Sequence, residues 1–265
     1  MEGENPKIIR LKDYFKKHPE KEGGDSLRLV GLLSKKAERV PFTKEDLRFL
    51  YEIDRRILVD GEDMERAIGT LRDGRNARAD LVTATGLRPN EISLTEEEVF
   101  KGGSKFHFGN IYLADVKLPQ DFHLPEQVRG SIQIGDVEDD QEVTFPKKVI
   151  GDLLIERVES MIGRDLPQYL EGTLYIGGLK QAGDLHLPAV FIGDLHLPSL
   201  INTKHFKMPK GFRFTLFLDA LATISNVDFL KEFSGGKLYA PNIVGYSRES
   251  IQARGYNFEL IDMRP

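Results

Sequence analysis

The side chains able to do chemistry in this 265-residue chain are few, and most are badly spaced for it. The six histidines are His18, His107, His123, His186, His196 and His205. Asp184 with His186, and Asp194 with His196, sit in two copies of Gly-Asp-Leu-His-Leu-Pro. Such a pairing could orient an imidazole base or hold a metal ion. There is no Cys, which removes thiolate ligands, cysteine nucleophiles and disulfides together. No serine sits in a Gly-x-Ser-x-Gly elbow, and no Gly-x-x-x-x-Gly-Lys loop is present to cradle a phosphate. The Asp139-Asp140 pair and the Glu96-Glu97-Glu98 run read as solvated surface. These residues predict no enzyme, no metal and no cofactor.

The elements that position these residues come from a repeat. Gly109, Gly130, Gly151, Gly172 and Gly193 are each 21 residues apart. Cut one residue before each glycine, the chain falls into units 108–128, 129–149, 150–170, 171–191 and 192–212. A degenerate unit follows at 213–233, and a partial seventh begins near Ser234 with one extra residue. Position 4 of the unit reads Ile111, Ile132, Leu153, Leu174, Leu195, Leu216 and Leu238. Position 6 reads Leu113, Ile134, Ile155, Ile176, Leu197, Leu218 and Ala240. Positions 9, 17 and 21 are also apolar, and Pro125, Pro146, Pro167, Pro188 and Pro209 follow position 17. Positions 4 and 6 share one face of a strand, so equivalent strands stacked in parallel build apolar ladders inside a superhelix. The proline fixes φ and removes a donor, which suits a corner between strands.

Within this register His123 and His186 both occupy position 16, three coils and ~14 Å apart, too far to share an ion. The two Asp-Leu-His copies fall in different registers and need not face each other. Position 5 is the more informative column. Lying between two buried positions, it points outward, and it reads Tyr112, Gln133, Leu154, Tyr175, His196, Phe217 and Tyr239. Four of these seven are aromatic, against 9% of the chain, where a solvated column would be polar. An apolar stripe on a surface marks an interaction site. Tyr112, Tyr175, His196, Phe217 and Tyr239 are therefore the candidate binding residues. The competing expectation is that the stripe is covered by the helices or the C-terminal tail.

The Gly-x-Leu-x-Leu-x-x-Leu block and its Leu-Pro turn resemble the leucine-rich repeat, in particular the short bacterial kind with a Leu-Pro pair. The likeness spans Phe108 to Ile243. It departs from that family after the strand, where Asp115, Gly178 and Ala220 replace a constant Asn, so the inter-coil asparagine ladder is expected to be absent. The whole chain also resembles uncharacterised bacterial proteins that join a small helical region to such repeats, a likeness that implies no activity.

Ahead of the repeats, a charged helix is expected over Ile8–Lys17, then a polar break at Glu22–Asp25 and an apolar stretch at Leu27–Leu33. Thr43 and Asp46 predict a capping box opening a helix whose face runs through Leu47, Leu50, Tyr51, Ile57 and Leu58 until Asp60-Gly61. Further helices are expected over Glu62–Arg72 and Asn76–Thr85, and Thr95 can cap another turn. Residues 79–93 have the spacing of a helix-turn-helix, with Gly86 in the turn and Ile92 as anchor. Its second segment, Arg88-Pro89-Asn90-Glu91, carries one charge of each sign, a poor match to phosphates.

The expected fold is α+β: a charged segment 1–40, a helical cap 41–107, a leucine-rich-like parallel β-solenoid 108–243 and a C-terminal cap 244–265 in which Tyr256–Ile261 adds a strand. The net charge is −5, and residues 1–105 hold 21 basic and 21 acidic side chains, so the excess belongs to the repeats. That balance argues against nucleic acid as a bulk partner. Neither a secretory leader nor a run of about 18 apolar residues is present, and with no Cys the expected place is the cytoplasm. The function expected is a scaffold that binds a protein or peptide. The alternatives are a nucleic-acid-binding regulator acting through 79–93 and, more weakly, an enzyme with a hidden site.

Overall fold

The computed structural model describes residues 24–58, 62–183, 185–222, 228–233, 235–244 and 258–261. The chain forms two compact units, Met1–Ile92 and Ser93–Pro265. The helix expected at Ile8–Lys17 lies outside the described residues.

The first unit is helical: α1 (Gly24–Ala37), α2 (Lys44–Leu50), α3 (Glu62–Arg72) and α4 (Ala77–Thr85). Its core is formed by Leu29 and Leu32, Leu47 and Leu50, Leu71, and Leu81 with Ala84, the apolar stripes of the four helices. The polar break expected at Glu22–Asp25 is instead, from Gly24 on, the first turn of α1. Asp25 suits that place, since a carboxylate favours a helix N-terminus. The Arg55 guanidinium grips it through two hydrogen bonds of 2.6 Å and holds its carboxyl below the usual range.

The capping box is present. Thr43 Oγ1 accepts from the Asp46 amide at 3.2 Å, and the Asp46 carboxylate accepts from the Thr43 amide at 2.9 Å. The helix it opens ends at Leu50, however, not near Asp60. Glu52 adopts φ +53, and its carboxylate accepts from the Ile57 amide and from Arg72, so a side chain closes the turn where a helix would continue. Leu58, expected on the buried face, is 72% exposed. Asn76 caps α4, and Gly86 ends it at φ +77.

The second unit opens with α5 (Glu96–Phe100), capped by Thr95, and continues as a parallel β-solenoid. Each early coil carries a strand at positions 20 to 1, a corner glycine, and a second strand beginning at position 4. The first sheet contains Phe106–Phe108, Gln127–Arg129, Lys148–Ile150, Tyr169–Glu171 and Val190–Ile192. The second stacks Ile111–Leu113, Ile132–Val137, Leu153–Val158, Leu174–Ile176, Leu195–His196, Thr215–Phe217, Gly236–Tyr239 and Phe258–Ile261 in chain order. The first two coils add a third side, Asp121–His123 paired with Glu142–Thr144. The pairing register is the sequence period, as in Ile111↔Ile132, Leu153↔Leu174 and Leu195↔Leu216. Columns 4 and 6 are buried throughout. Column 9 is buried except at its head, where Val116 is 42% exposed. The strand expected in the C-terminal segment is seen at Phe258–Ile261, with Leu260 paired to Leu238.

Two features explain the period. A Cβ on Gly151 would lie 2.0 Å from the Gly130 carbonyl oxygen, so the corner tolerates no side chain where successive coils approach. The following residue, position 3, ties the coils together. Asn110 Oδ1 accepts from the Ser131 amide, Ser131 Oγ from the Asp152 amide, Asp152 Oδ1 from the Thr173 amide and Asp194 Oδ1 from the Thr215 amide, at 2.7–3.1 Å. The polar ladder missing after the strand therefore stands before it. At position 8 Ser199 Oγ still accepts from the Gly178 amide at 3.2 Å.

Candidate functional site

Parallel stacking brings the position-5 side chains of successive coils next to one another. Tyr175 pairs with His196, His196 with Phe217, and Phe217 with Tyr239. Their rings form one run. The His196 and Phe217 rings stack with centroids 3.9 Å apart, while Tyr175–His196 and Phe217–Tyr239 are tilted at 6.3 and 5.6 Å. All four side chains are half-buried. Leu154 precedes the run in register and Ile261 follows it, both half-buried, so the stripe continues as aliphatic surface at each end. Tyr112 is the outlier among the five candidates. Gln133 and Leu154 intervene, and Tyr112 is 54% exposed, its hydroxyl accepting from Asn110 Nδ2 at 2.8 Å. The Tyr112 amide, on the first strand of that sheet, donates to Glu96 Oε1 at 2.7 Å, so a carboxylate of α5 occupies that donor.

Burial among its neighbours pushes the His196 imidazole below its ordinary value, against the opposing pull of Asp194 and Asp219. A neutral ring stacks on Phe217 without the cost of burying a cation. Four carboxylates border the stripe on coils three to six: Asp152 and Asp194 at position 3, Glu156 and Asp219 at position 7. Columns 3, 5 and 7 of these coils contain no Lys or Arg. Gln133 Nε2 donates to Glu156 Oε1 at 2.6 Å, so Glu156 leans toward the position-5 column. Among the described residues none of these four carboxylates has a basic partner. Of the cations nearby, Arg157 bridges to Asp136 at 3.3 Å, and Lys237 stands at position 3 of the seventh coil, beside Tyr239, with Glu259 as its backbone register partner one coil further on. The acidic border is readable from columns 3 and 7 once the register is known, although composition alone conceals it.

The other candidate chemistry disperses. His107 heads the buried position-21 column and shares a hydrogen bond of 3.0 Å with Ser93 Oγ. His123 is exposed beside Asp121 and Thr144. His186 is exposed, and Asp184 lies outside the described residues. Among the described residues no three His, Asp or Glu side chains converge as a metal site requires. A cavity of about 550 Å³ on coils three to five is lined by Glu159, Ser160, Met161, Lys180, Lys204 and His205, and among the described residues these side chains form no ion pair with one another. In the 79–93 segment, the second helix of a helix-turn-helix is a three-residue 3-10 turn, Pro89–Glu91. Its Arg88 is forked onto Glu91, and Arg78 donates to the Pro89 and Ile92 carbonyls. No described helix is long and apolar enough to cross a membrane.

No protein-family model, curated protein or solved structure matches the chain.

Proposed function

We propose that this chain is a binding scaffold that presents the position-5 face of its solenoid to a protein or peptide. The observation that carries this reading is the unbroken run Tyr175–His196–Phe217–Tyr239, half-exposed on a sheet face with the polar column Thr173, Asp194, Thr215 and Lys237 along one flank. Aromatic rings held on a rigid sheet cost little entropy to dock, and such rings supply the hot spots of interfaces. The role is binding, without catalysis. The repeats belong with the short leucine-rich kind, on their Leu-x-Leu strand and Leu-Pro corner. A chain without cysteine is suited to the reducing cytoplasm.

Replacing Tyr175 and Phe217 with Ser, singly and together, tests the proposal in the full chain. Far-UV circular dichroism melts close to the parent, with loss of a protein that the parent retains from extract, support it. A large-to-small change in a packed core costs about 3–5 kcal/mol. A fall of many degrees in each single variant therefore makes the column core and overturns the proposal.

A further inference from the structure

We infer that the position-5 face selects a cationic partner: an extended peptide segment carrying arginines at alternate residues. This inference rests on the proposed binding face and names what that face would take. The first observation is the stacked run of Tyr175, His196, Phe217 and Tyr239. The second is independent of it. Asp194 and Asp219 lie on coils of that run, Asp152 and Glu156 lie on the preceding coil beside Leu154, and among the described residues none of the four has a basic partner.

These carboxylates are not merely ladder groups. Asp194 uses one oxygen to accept from the Thr215 amide, which leaves the second for a ligand. The Asp219 carboxylate has no hydrogen bond among the described residues, although its backbone carbonyl accepts from Asn242. Both act on His196, where each raises the imidazole's proton affinity, so their field reaches the rings. A guanidinium over an aromatic face with a carboxylate at its edge gains cation–π attraction and a charge-assisted hydrogen bond together. An uncharged apolar segment would cover Asp194 and Asp219 without compensating them.

The length of the site fits an extended segment. Tyr175 to Tyr239 spans three inter-strand steps, ~14 Å at ~4.8 Å each, and residues i and i+4 of an extended chain lie ~13 Å apart. Arginines at i, i+2 and i+4 share one side of such a segment and cover the run.

The test uses the full chain and a fluorescein-labelled Arg-Ser-Arg-Ser-Arg amide, read by anisotropy at low ionic strength, with a Gln-Ser-Gln-Ser-Gln amide as control. The variants are Asp194→Asn with Asp219→Asn, which keep the acceptor for Thr215 and remove only charge, and separately Phe217→Ser. The arginine peptide is expected to bind at least about tenfold more tightly than the glutamine peptide. The double Asn variant is expected to lose that advantage at an unchanged melting temperature, and added salt to erode it. Equal binding of the two peptides, or full binding by the double Asn variant, overturns the cationic selection. If Phe217→Ser still abolishes binding in that case, the aromatic face stands as a docking site and only its charge preference fails. If no peptide binds the parent chain at millimolar concentration, the inference is overturned, and the fate of the docking face is decided by the Tyr175 and Phe217 variants above.

Discussion

Glycine and histidine carry different burdens at the scale of single residues. Gly151 sits at φ +156 with the preceding coil's carbonyl where a Cβ would go, whereas Gly163, at φ +71, has open space around it. Gly151→Ala must therefore displace one coil from the next, and Gly163→Ala incurs only the left-handed backbone cost. We expect the first to lower stability by at least about 2 kcal/mol. The second should cost about 1 kcal/mol. Urea midpoints followed by circular dichroism compare them directly. His196 adds a pH dependence. Its folded proton affinity is depressed, mainly by burial, so below the ordinary imidazole value of 6.5 the unfolded chain binds a proton that the folded ring resists. Stability is then complete above that value and declines as pH falls through it. His107 shifts the same way for the same first cause. Imidazole proton shifts in an NMR titration should give midpoints below 6.5 for both rings, and a midpoint at or above 6.5 for His196 would contradict its stacked burial.

Among the elements, the position-3 ladder does what the hydrophobic columns cannot, because apolar ladders alone do not prevent a coil from slipping in register. Asp152 accepts from the Thr173 amide at 2.8 Å and receives Ser131 Oγ at 3.4 Å. Asp152→Ala strands the Thr173 donor, part-buried between coils, and should cost about 1–3 kcal/mol. Asp152→Asn keeps an acceptor on the same atom and should recover most of that loss. Chemical denaturation of the pair measures the difference; equal losses in the two variants would mean that charge, and not the hydrogen bond, is what the ladder uses.

For the whole solenoid, stability is carried by neighbour-to-neighbour stacking. Among the described residues forty buried apolar side chains, from Val99 to Leu260, form one continuous cluster, so a central coil has a packed neighbour on each side and a terminal coil has fewer. Leu174 and Leu238 occupy the same column and are both buried. Leu174→Ala opens a cavity that two coils hold open, which should cost about 3–5 kcal/mol. Leu238→Ala, one strand from the C-terminal end of the sheet, should cost less, because only the strand Phe258–Ile261 packs beyond it and can give way without the rest. Far-UV melts of the two variants decide it, and identical losses would indicate a solenoid that unfolds as a single rigid block.

Much of this architecture was legible in the sequence, and the reason is the repeat. A 21-residue period in glycine, Leu-x-Leu and Leu-Pro specifies parallel register, because each coil must bury the same columns against the next. The pairing of Leu174 with Leu195 follows from counting. Capping residues such as Thr43, Asn76 and Thr95 were equally readable, since a cap is a local hydrogen bond between residues three apart. What was not legible depended on side chains distant in sequence. Glu52 ends α2 by reaching Ile57 and Arg72, so the apolar spacing through Leu58 pointed to a longer helix than forms. The Arg88–Glu91 segment is drawn into a short turn that helical spacing alone does not reveal. The position-5 residues could be placed on one face by parity, but the stacking of His196 on Phe217 with centroids 3.9 Å apart, the isolation of Tyr112 and the carboxylates that border the column without a basic partner among the described residues are properties of stacked coils. Periodicity says which residues share a column; only the packed chain decides which of them touch and which charges have a partner.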